Sequence, residues 1–140
     1  MSAFDDAING LETVLAANIT GLHVYNHPPQ AVNQFPAAII LVDPFDPRVA
    51  FGGHTLEVNL RVVMLFGKGD SEQAFQQMYH SLDPTETNRS IVKAVEADRT
   101  LNSTVDDAVV KSLENMGLRE LSQGQFAGFD AVVGFLQTIA

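Results

Sequence analysis

Thr55-Leu56-Glu57-Val58-Asn59-Leu60-Arg61-Val62-Val63-Met64-Leu65-Phe66 is the stretch on which the fold turns. Its even-numbered residues are all apolar, and Thr55, Glu57, Asn59 and Arg61 alternate with them. A period of two sends successive side chains to opposite faces, so this reads as a long strand with one buried face and one polar face. At Val63 and Leu65 the second face turns apolar too, which predicts a cover over that end of the sheet. Gly67-Lys68-Gly69 punctuates the strand.

Upstream, Ala37-Ala38-Ile39-Ile40-Leu41-Val42 is apolar on both faces, the pattern of a strand covered twice. Leu22-His23-Val24-Tyr25 is a short strand, ended by Asn26-His27-Pro28-Pro29 because two prolines cannot serve a ladder. Between these strands and Thr55, the prolines of Asp43-Pro44-Phe45-Asp46-Pro47 favour a loop that runs to Gly52-Gly53. Residues 3–18 predict a helix with Phe4, Ala7, Ile8, Leu11, Val14 and Leu15 as its stripe, and Ser2 with Asp5 resembles a capping box. Gly10 weakens that helix by about 1 kcal/mol relative to alanine.

Downstream, Asp70 is placed to cap a helix over 71–82, with Ala74, Phe75, Met78, Tyr79 and Leu82 on one face. Pro84 interrupts, and a second helix follows over 88–98. Residues 107–116 and 126–139 return as strands joined through Ser122–Gln125, with Phe129, Ala131, Val133 and Phe135 on one face. The order α-β-β-β-α-α-β-β predicts an α+β fold: a mixed, mostly antiparallel sheet of about five strands with two to three helices on one face.

Length and charge set outer bounds. At 140 residues the chain fits a single domain over 1–140, long enough to bury about 68% of its unfolded surface. Mean hydropathy of +0.07 is that of a globular chain. Cysteine is absent, which removes disulfides and thiolate nucleophiles. No apolar run reaches the length of a bilayer span, and the first residues lack the basic region of a signal peptide, so no membrane partner is expected. The net charge is −9. From Met1 to Pro47 the acids Asp5, Asp6, Glu12, Asp43 and Asp46 meet no base. A nucleic-acid binder needs a basic stripe to neutralise phosphates, so direct DNA binding is not expected.

The search for chemistry returns little. His23, His27, His54 and His80 show no metal-ligand spacing. Gly67-Lys68-Gly69-Asp70-Ser71 lacks the spacing of a phosphate loop. Asp43 and Asp46 make a poor calcium loop between prolines, and Asp106-Asp107 reads as a solvated turn. Catalytic, cofactor-binding and metal residues are therefore expected to be none, with no cofactor and no enzyme activity. What stands out is apolar material in loops. Phe35, Phe45, Phe51 and Phe126, with Arg48 between two of them, have the composition of interface anchors. Arg61 joins this candidate interface set, because basic residues are scarce enough to be spent on protein contacts. The alternative is that the rings fold back on the rim of the core.

Val24-Tyr25-Asn26-His27-Pro28-Pro29-Gln30-Ala31-Val32-Asn33-Gln34-Phe35-Pro36-Ala37-Ala38-Ile39-Ile40 resembles the N-terminal third of tail terminator proteins of long-tailed phages. Leu82-Asp83-Pro84-Thr85 followed by Ser90-Ile91-Val92-Lys93-Ala94-Val95-Glu96-Ala97-Asp98 is similar to the paired helices of that family. The strands from Gly53 to Phe66 and from Gly128 to Ile139 occupy the places of its long sheet strands. The resemblance covers roughly residues 5–139. It implies a virion structural protein, assembled in the host cytoplasm, that forms a homohexameric ring at the head-proximal end of the tail. Such a ring contacts the tail tube protein and the head–tail connector or neck protein, and genomic DNA passes its bore without specific binding. Other expectations from the same fold are a neck, stopper or tube protein, or a small-molecule-binding or hydrolytic domain.

Overall fold

The computed structural model describes residues 3–45, 55–68, 71–121 and 124–138. Helix α1 spans Ala3–Asn18, and strands β1 and β2 span His23–Tyr25 and Ala37–Val42. Strand β3 is Thr55–Lys68. Helices α2 and α3 are Glu72–Leu82 and Ile91–Ala97. The closing hairpin consists of β4, Asp107–Leu121, and β5, Gly124–Thr138.

The five strands form one sheet in the order β1-β2-β3-β5-β4. Strand β1 lies parallel to β2, and the other pairs are antiparallel. This is the mixed, mostly antiparallel α+β architecture expected from the alternation at 55–66. Met64 pairs with Ala38 on one side and Phe129 on the other, and Val62 pairs with Ile40 and Ala131. These residues form one apolar face. Leu11 and Leu15 of α1, Met78 of α2 and Ile91 and Val95 of α3 pack into the same core. Phe66 and Phe129 stack with centroids 5.8 Å apart, the offset geometry that aromatic quadrupoles favour.

Among the described residues, the second face has its apolar cover at one end. Ala37, Ile39, Val63, Leu65 and Phe126 form a smaller cluster there, closed by Val32 and packed with Tyr25 and Phe35. The segment 26–36 thus folds across the sheet between β1 and β2. The apolar switch at Val63 and Leu65 is the sequence trace of that cover. The Phe35–Pro36 peptide bond, just before β2, is cis.

Several boundaries differ from the sequence expectation. Helix α2 is capped by Ser71, not Asp70: the Ser71 hydroxyl accepts a hydrogen bond from Ala74 N at 3.2 Å. Asp70, and Ser2 of the expected capping box, lie outside the described residues. Helix α3 starts later than expected, where Ser90 accepts from Lys93 N at 3.3 Å. Strand β3 continues through Gly67 and Lys68 by way of a bulge between Leu65 and Gly67. Strand β4 runs five residues past Met116 because two register shifts, at Val110/Ser112 and Glu114/Gly117, absorb its broken alternation.

Gly10 has a specific reason to be glycine. A Cβ there would collide with the Leu101 carbonyl and the Thr104 hydroxyl, so α1 meets the 98–105 turn at backbone distance. That turn holds Leu101, Asn102 and Ser103 at φ of 47°, 60° and 64°. The Asp98 carboxylate braces it, accepting from the Thr100 hydroxyl and from Asn102 N.

Candidate functional site

Beyond the small cluster, the second face of the sheet carries a charge network. Asp130 sits in the apolar run Phe126–Phe135 of β5 and is only 3% exposed. It is opposite Val63 of β3 and Glu114 of β4. Arg61 lies one pair along β3 on the same face, and its Nη1 donates to Asp130 Oδ2 at 3.0 Å. Arg119 Nη2 donates to both Asp130 oxygens at 3.0 and 3.1 Å, and Asn115 Nδ2 to Oδ2 at 3.0 Å. The bulge at Glu114/Gly117, with Asn115 at φ 56°, puts that amide at the Asp130 carboxylate.

Arg61 is also held from the far side. Its Nε and Nη2 donate to the two oxygens of Asp43 at 2.7 and 3.3 Å, a fork-to-fork pair. Glu114 reaches its Nη1 at 3.5 Å and itself accepts from the Ser112 hydroxyl at 2.6 Å. The hydrogen bond to Asp43, and after it that to Asp130, raise the Arg61 pKa above its ordinary value against the opposing effect of burial. Arg61 can therefore hold an anion but cannot move a proton near neutrality. A buried ion pair contributes little net stability, yet removing one partner costs about 3–5 kcal/mol. The network links the end of β2 to β3, β5 and β4 across one face.

The expected interface residues fall into different environments. Phe126 is 0% exposed. It packs against Phe35 with centroids 5.9 Å apart, and Lys68 Nζ lies 5.1 Å from its ring centre. Phe126 is thus a core residue of the second face, not an exposed anchor, because 26–36 folds over it. Phe35 is half-buried in the same cluster. Phe45 is 40% exposed and stacks on Phe4 of α1 at 5.7 Å. Arg61, expected at the interface, pairs with Asp43 and Asp130 within its own chain. Arg48 and Phe51 lie outside the described residues, as do His54 and the rest of the 46–54 loop.

Several other titratable residues act as structural ties. Asp43, weighed above as a calcium ligand, clamps Arg61. The Asp106 carboxylate accepts from the hydroxyl and N–H of Thr138 at 2.6 and 2.8 Å, fastening the start of β4 to the end of β5. Those bonds, the hydroxyl's foremost, hold it below the usual carboxylate range. Asp107 pairs with Arg99 at 2.8 Å. His80 meets Glu86 at 2.8 Å, and His27 meets Asn26 at 2.8 Å. Among the described residues no group of three or more histidines and acids is placed to hold a metal ion. Nor, among the described residues, is any helix long and apolar enough to cross a membrane.

The sequence reading missed Asp130 and Arg119. A signal existed: a lone acid inside Phe-Ala-Gly-Phe-Asp-Ala-Val-Val must find a cation when the strand is buried on both faces. No family model matches this chain, and no curated protein is significantly similar to it.

Proposed function

We propose that this chain is a structural subunit of a phage tail, a terminator that forms a six-membered ring at the head-proximal end of the tail tube. The observation that carries this reading is the run Val24–Ile40, on which the resemblance to tail terminators rests. In the fold this run supplies β1, the cover over the second face and β2, so it is an architectural element and not a surface accident.

Further features support a role in assembly. Asp43, Asp130 and Asp106 tie strands and turns of the chain to one another. Phe45, 40% exposed beside α1, offers an aromatic anchor at the root of the 43–54 loop, the segment we assign to docking. On the outer edge of the sheet, Met116 and Leu118 of β4 are more than half exposed. The two register shifts in β4 break its ladder, which disfavours continuous strand addition and favours side-chain contact along this flank. In this reading the ring touches the tube on one side and the neck on the other, and carries out no reaction.

Polymerisation of tail tube protein tests it. Adding the purified chain is expected to stop tube growth and to leave density at one tube end. Tubes that lengthen unchanged and bind none of the chain would overturn the proposal.

A further inference from the structure

A cleft opens on the helix-covered side, between the end of α1, β3 and α2. Its volume is about 210 Å³, and its walls include Ile19, Thr20, Phe66, Gln77, Ser81 and Arg89. Ile19 and Phe66 form an apolar floor, each nearly buried. Ser81 is 1% exposed, and its hydroxyl has no hydrogen-bond partner. A buried hydroxyl left unpaired is costly, and Ser81 is one of the residues that line this cleft. The lining holds no acid, so the site has the one positive charge of Arg89 in a protein of net charge −9.

Arg89 differs from the other described arginines. Arg61, Arg99 and Arg119 are each paired with acids of their own chain, at 2.7 to 3.0 Å for their shortest contacts. Among the described residues Arg89 makes no ion pair. Copies of so acidic a chain repel one another, and their association needs a cation that folding has not already used.

We propose that this cleft is the socket for an exposed carboxylate side chain of a second copy. Arg89 takes the charge at the mouth, the Ser81 hydroxyl and the Gln77 amide donate hydrogen bonds further in, and the stem of the side chain lies on Phe66 and Ile19. The identity of the occupant rests on the ring reading above. The space suits one side chain and is smaller than the pockets that hold drug-sized molecules.

The absence of cysteine allows a direct test. Thr20→Cys, at the exposed rim, is labelled with a benzophenone maleimide and photolysed in assembled protein, and the adducts are read by mass spectrometry. Arg89→Glu and Ser81→Ala are compared with the unaltered chain by mass photometry, with melting temperature as the control for folding. The expected result is a crosslink to an acid-containing peptide of another copy. Association should weaken at least about tenfold in Arg89→Glu, the scale of a truncated interfacial charge pair, with unchanged melting. If the unaltered chain assembles while both variants assemble equally well, the socket is wrong and the ring stands. A crosslink to tube or neck protein replaces the occupant and overturns the assignment to a second copy. If the unaltered chain stays monomeric both alone and on tube ends, the ring reading fails and the socket fails with it.

Discussion

Asp130 is the residue whose loss should be felt most. Two guanidinium groups, of Arg61 and Arg119, converge on its carboxylate. Asp130→Ala leaves them facing each other with the buried carboxylate between them gone, and a loss of about 3–5 kcal/mol is expected in urea unfolding. A loss below 1 kcal/mol would show the network to be ornamental. The phenylalanines separate in the same way. Phe126→Ala should cost about 3–5 kcal/mol, because the ring is closed in by Phe35 and Lys68. Phe45→Ala should leave melting nearly unchanged and impair tail joining instead; a large fall in its melting temperature would place that ring in the core. Sequence could not separate these two, since each stands at the end of a strand beside polar residues. Burial of Phe126 comes from a segment some ninety positions away. Asp83, Asp98 and Asp106 set the acid response. Threonine hydroxyls, of Thr85, Thr100 and Thr138 respectively, hold all three carboxyls below the usual range. Because these groups are more acidic in the folded chain than in the unfolded one, their stabilisation is fully present above about pH 4. It is lost as pH falls through their folded values. Thr138→Val should therefore raise the pH at which acid unfolding begins, followed by circular dichroism; an unchanged acid midpoint would remove Asp106 from the account.

Elements were legible where the period was clean and illegible where the chain departs from it. The alternation of 55–66 and the two-faced run 37–42 predicted β3 and β2, and the apolar second face at Val63 and Leu65 predicted a cover. The far end of β4 was hidden because its two register shifts erase the period of two, and the bulge at Asn115 reads as a turn. The start of α2 was misplaced by one residue because Asp70 and Ser71 are both capping types. Gly10 was legible as a weakness of α1 but not as a contact, since its partner, the Leu101 carbonyl, belongs to a turn that sequence cannot place. In an exposed helix Gly→Ala stabilises by about 1 kcal/mol. Here Gly10→Ala should destabilise, because α1 must move off the 98–105 turn. Thermal melting decides the sign, and a rise in melting temperature would contradict the packing described.

The whole molecule is an acidic chain in which Arg61, Arg99 and Arg119 are paired with its own acids. A sixfold ring multiplies its charge of −9 accordingly, so a bore lined by this chain should be acidic or neutral and let DNA slide. Like charge prevents the counterion release that holds phosphates. Duplex DNA should pass a mobility-shift assay unretarded at physiological salt; retention that weakens as salt rises would contradict this. The resemblance on which the ring rests was legible only as a pattern spread over strands and helices, without the fixed spacing of a metal or nucleotide site. Electron cryomicroscopy of tails completed in the presence of the chain is the most direct test. The account predicts one layer of this protein, with sixfold symmetry, at the head-proximal end of the tube. A layer of threefold or twelvefold symmetry, or a tube end that lacks the protein altogether, would contradict it.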